Sequence, residues 1–61
     1  MILEVSLISA GAVSLMAQVC GAKIEDVYVT GYSVMMTLDE EVVGSRTLVE
    51  ECKRQGLLYE H

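Results

Sequence analysis

A two-layer α+β sandwich, an antiparallel sheet with two helices on one face, is the fold class that three observations predict. Met1 to Ile8 alternates with the period of a strand, with Leu3, Val5 and Leu7 on one side and Ile2, Glu4, Ser6 and Ile8 on the other. Ile24 to Thr30 is rich in β-branched and aromatic residues, and Gly31 separates it from a second such run, Ser33 to Leu38. Two further stretches, Ala10 to Cys20 and Ser45 to Gln55, carry helix signals.

Each element has its own justification. Ser9 can cap the first helix, and Val13, Met16, Ala17 and Cys20 fall at i, i+3, i+4 and i+7, an apolar stripe that stops at Gly21. Thr30-Gly31-Tyr32-Ser33 reads as a hairpin turn, or as the site of a bulge, so the register stays open. Asp39 to Gly44 is a polar connection in which Val42 and Val43 can form a helical turn. Thr47-Leu48-Val49-Glu50 fits the capping box that would open the second helix, Lys53 and Arg54 complement its dipole, and Gly56 closes it. Leu57-Leu58-Tyr59 remains as a short final strand at an edge. The order βαββαβ then predicts a ferredoxin-like split βαβ sandwich with a four-stranded antiparallel sheet.

The 61 residues form one domain, and 52% of them are hydrophobic, far too many for a disordered chain. A chain this short buries only about 60% of its unfolded surface, so self-association is the expected source of extra burial. The formal charge is −5, from nine acidic and four basic residues. Of the cations, Lys23, Arg46, Lys53 and Arg54, only the last two adjoin. That pattern predicts no nucleic-acid partner, because phosphate contacts need clustered Lys or Arg, and no anionic membrane surface. The acidic groups instead suit a protein partner with a basic surface, and Asp39, Glu40 and Glu41 form the longest run.

Val5 to Ala22 is uncharged over 18 residues, the length at which a membrane span comes into question. The run contains Ser6, Ser9, Ser14, Gln18, Gly11 and Gly21, and Glu4 precedes it in place of a basic residue, so neither a span nor a signal peptide is expected. Ala17-Gln18-Val19-Cys20 departs from a lipoprotein cleavage site by having Val19 where a small residue belongs. The cytoplasm is the default expectation, with both cysteines reduced.

The stretch from Ala10 through Gly11, Gly21 and Ile24 to Val29 resembles the start of an ACT domain, a small regulatory module of the same topology. Gly11 falls on that family's loop Gly, Gly21 on its turn Gly and Ile24 on its strand Ile, while Ala10 stands where the family has Pro. The resemblance covers residues 10–29, a third of the chain, and implies an amino-acid ligand near Gly11 and Ala12. No attached enzyme to regulate lies within these residues.

A catalytic set is missing from the sequence. The one histidine is His61, at the end of the chain, which leaves a Ser or Cys nucleophile without a positioned base. Cys20 and Cys52 sit at helix C-terminal ends, where the dipole disfavours a thiolate, and read as small core residues. No metal site and no cofactor are expected. The apolar residues left over from the core pattern, Ile2, Ile8, Tyr28 and Met35, predict a homodimer interface on the open sheet face. The sequence therefore predicts a non-enzymatic, acidic, homodimeric module that binds and inhibits or modulates a partner protein, as small viral inhibitors of host machinery do. The alternative it predicts is an ACT-like ligand sensor.

Overall fold

The computed structural model describes residues 1–59, in the order β1 (Ile2–Ser6), α1 (Leu7–Cys20), β2 (Ile24–Thr30), β3 (Ser33–Leu38) and α2 (Val43–Arg54). Among the described residues the sheet has three antiparallel strands in the order β1-β3-β2, which corrects the expected four-stranded βαββαβ sandwich. The final segment contributes one antiparallel bridge, Leu58 opposite Val5, and a hydrogen bond from Tyr59 N–H to Glu4 O at 3.0 Å. Among the described residues after Gly56 only Leu58 pairs with β1, so no ladder of a fourth strand forms there.

The first strand stops two residues before its alternation does. Ser6 takes an extended backbone (φ −67°, ψ 156°), and its Oγ accepts the Ser9 N–H at 3.1 Å, so Ser6 is the cap and Leu7 and Ile8 belong to α1. The expected cap, Ser9, sits inside the first turn, and its Oγ accepts a hydrogen bond from the Ser6 hydroxyl. At the other end Gly21 adopts φ 72°, and Ala22 N–H bonds back to Ala17 O at 2.9 Å, the left-handed closure the sequence predicts.

β2 and β3 form the hairpin, with Thr30 opposite Ser33 and Tyr28 opposite Met35. Gly31 has φ 59°, and among the described residues no non-glycine has a positive φ, the pattern of a type II′ turn. A two-residue loop makes Thr30 and Ser33 a hydrogen-bonded pair, so the backbone groups of Val27 and Val29 point to the free edge of the sheet. The ladder slips between Ile24 and Asp26, and Asp26 Oδ1 accepts the Val27 N–H at 3.0 Å.

α2 starts before the expected capping box. Its cap residue, Val42, offers no side-chain acceptor, and Thr47 lies within the helix with its hydroxyl donating to Val43 O at 3.2 Å. Ser45 is buried, and its Oγ accepts Lys23 N–H at 3.1 Å, tying the start of α2 to the segment that follows α1. Gly44 makes this approach possible: a Cβ there would collide with the carbonyl groups of Cys20 and Gly21. The core lies between helices and sheet and consists of Leu3, Val5, Val34, Met36 and Leu38 from the strands with Val13, Ala17, Leu48 and Cys52 from the helices.

Candidate interaction surface

α1 contains no charged residue from Leu7 to Cys20. Its core side carries buried Val13 and Ala17, with half-buried Ala10, Met16 and Cys20 beside them. At 3.6 residues per turn Leu15 lies about 200° around the helix from Val13. It joins Ile8, Ala12 and Val19 in a second apolar stripe, in which Ile8 is 95% exposed, Leu15 65% and Val19 88%. A helix that is apolar on both sides is normally covered on both sides. Here one side is bare, and Leu7, Gly11, Ser14 and Gln18 flank the stripe in the open.

A groove of about 370 Å³ runs beside the stripe, between Leu15, Val19 and Cys20 of α1 and Thr47 and Glu51 of α2, with Gln55 just beyond the end of α2. Glu51 accepts hydrogen bonds from Arg54 and Gln55. The Arg54 bond holds the Glu51 carboxyl below its usual range, against a smaller desolvation effect. Cys52 is buried and free, and burial pushes its thiol up, with Cys20 and Glu51 acting in the same direction.

The expected dimer residues are divided between two surfaces. Tyr28 and Met35 are cross-strand partners on the open face of the sheet, and Ile2, opposite Thr37, lies diagonal to Met35 on that face. Glu4 and Asp26 intrude among them, and Ser33 Oγ donates to Glu4 Oε2 at 2.6 Å, so this face is mixed in polarity. Ile8 is elsewhere: the Ser6 cap moves it out of the strand and onto the bare side of α1. Every residue of β2 after Ile24 is exposed, including Val27 and Val29, whose side chains share the helix-facing side with Met36 and Val34.

The acidic run occupies the connection from β3 to α2. Asp39 lies 3.9 Å from Lys23 Nζ and accepts Glu41 N–H, while Arg46 donates to the backbone carbonyl of Glu40. Glu40 and Glu41 are exposed. Gly11 and Ala12, the expected ligand residues, are exposed inside α1, not in a loop before it, and nothing lies within 4 Å of a Cβ built on Gly11. His61 lies outside the described residues. Among the described residues no group of three or more His, Cys, Asp or Glu could hold a metal ion, and no helix is long and apolar enough to cross a membrane.

The stripe of Ile8, Ala12, Leu15 and Val19 was the part of the surface the sequence reading missed. Its signal was present, since spacings of four, three and four residues mark one side of a helix. Placing Ile8 in the first strand hid the first of the four positions. Compared with protein-family models, curated proteins and solved structures, the chain shows no match. The fold and the bare helix face define it as a small α+β chain with an uncovered apolar surface.

Proposed function

We propose that this chain acts without chemistry of its own, as a small acidic protein-interaction module that works as a homodimer and modulates a partner protein. The observation that carries this reading is the bare apolar side of α1, where Ile8, Leu15 and Val19 face solvent on a helix without charge. Covering each such side chain gains about 2 kcal/mol, and a symmetric pair gains it in both copies. That is the scale required against an association cost of roughly 4–15 kcal/mol. The exposed carboxylates of Glu40 and Glu41, beside Asp39, supply a second surface of opposite character that suits a basic patch on the partner. Apolar self-contact and acidic partner contact are thus separated on the molecule.

Native mass spectrometry across micromolar concentrations tests the reading. The expected species is twice 6.7 kDa with nothing else bound. A monomer throughout overturns self-association, and a retained small molecule would favour the ligand-sensing alternative.

A further inference from the structure

We propose that the bare stripe of α1 is the seat of a second copy of this chain, its own α1 packed antiparallel about a two-fold axis; this rests on the self-association proposed above. Spacing is the first argument. Ile8, Ala12, Leu15 and Val19 follow one another at four, three and four residues, the repeat that keeps one seam of a helix facing another helix. The second argument is the order of residues within that seam.

An axis midway between Val13 and Ser14 relates position 8 to position 19 and position 12 to position 15. Ile8 of one copy then meets Val19 of the second copy, and Ala12 meets Leu15 of the second copy. Each contact occurs twice, as a two-fold interface requires. The small Ala12 faces the large Leu15, so the central layers interdigitate where two leucines in register would hold the helices apart. A parallel pair would set Leu15 against Leu15 and Ala12 against Ala12, leaving one layer crowded and the next loose.

Charge supplies the third argument. With a net charge of −5, two copies repel over most of their surfaces, and Leu7 to Cys20 is the longest charge-free helix they can present to each other. A basic partner gains nothing on such a face, whereas an identical uncharged helix loses nothing by being desolvated. The stripe runs about 16 Å along the helix from Ile8 to Val19, and the groove beside Leu15 and Val19 receives the flanking side chains of the second copy.

A charge-exchange experiment on the full chain, read by sedimentation equilibrium with circular dichroism as the check on folding, tests the proposal. Both sites are exposed, so Ala12→Glu and Leu15→Lys should leave the helix signal unchanged. Each single change should weaken the dimer by about 100-fold or more, because the new charge is desolvated against an apolar neighbour. The double variant should recover the dimer to within about tenfold, since antiparallel pairing sets each new acid against a new base.

Dimers that survive both single changes would overturn the α1 seam while leaving self-association intact, and would point to the sheet face of Ile2, Tyr28 and Met35. Loss in the single variants without recovery in the double would overturn the antiparallel register. A wild-type chain that is monomeric in buffer defeats both this inference and the reading it rests on. If that monomer co-sediments with phosphatidylcholine vesicles, the stripe belongs to a lipid surface.

Discussion

The two helices lie against one another, yet they are finished differently. α2 buries Ser45, Leu48 and Cys52 on one side and shows Arg46, Glu50, Lys53 and Arg54 to water on the other, as a surface helix of a complete domain does. α1 buries Val13 and Ala17 and shows Ile8, Leu15 and Val19. One helix is closed by solvent and the other is left open for contact. The difference shows that burial within the monomer is not what selects every apolar residue of α1, because the outer stripe contributes nothing to the core that holds the chain together.

The cysteines give the widest separation between the two helices. Cys20 is half-buried at the end of α1, whereas Cys52 is fully buried in α2 with its thiol pushed up by that burial. Alkylation by iodoacetamide at pH 8, followed by mass spectrometry, should label Cys20 first. Cys52 should lag about a hundredfold or more, the factor for a site gated by an opening of about 3 kcal/mol. Equal rates would mean that α2 opens readily and is no better anchored than α1.

A leucine pair breaks the comparison more directly. Leu48→Ala in α2 removes a fully buried side chain and should cost about 3 kcal/mol in urea unfolding, while Leu15→Ala in α1 should change monomer stability by less than about 0.5 kcal/mol. Where the helices meet, Gly44→Ala forces a methyl group into the carbonyls of Cys20 and Gly21 and should cost about 2–3 kcal/mol, read in the same way. The smallest effect lies at the helix starts. Ser6→Ala removes the side-chain cap of α1 and should cost about 1 kcal/mol, whereas Val42→Ala in α2 removes no cap hydrogen bond.

Elements marked by glycine or by a dense β-branched run were legible in the sequence. Gly21 and Gly31 sit at positive φ where a helix end and a hairpin turn were expected, and β2 and β3 span the predicted residues. Boundaries governed by competing serines or overlapping periods were not. Leu3, Val5 and Leu7 alternate straight through the point where Ser6 turns the chain into a helix, and Ser6 and Ser9 are both good caps. The capping box at Thr47 and Glu50 failed because packing against α1 starts α2 at Val43, before that pattern. The fourth strand is reduced to a single bridge among the described residues, with Leu58 opposite Val5. Of the expected dimer residues, Ile2, Tyr28 and Met35 do share a face, but Ile8 could be placed correctly only once the end of β1 was known.

The slip in β2 bears on how the chain behaves as a colloid. Strand-by-strand growth into fibrils needs the outward amides of an edge, and Val27, Tyr28, Val29 and Thr30 make an exposed, uncharged, β-prone run of the kind that templates it. Asp26 already holds the Val27 N–H and places a carboxylate at that edge, so an incoming strand finds the groups of Val29 with no second anchor to set a register. Asp26→Ala should therefore shorten the lag of thioflavin fluorescence while leaving the melting temperature nearly unchanged. An unaltered lag would show that the net charge alone keeps the chain dispersed. One side chain turned back on its own backbone thus occupies an amide that the free edge would otherwise offer to an incoming strand.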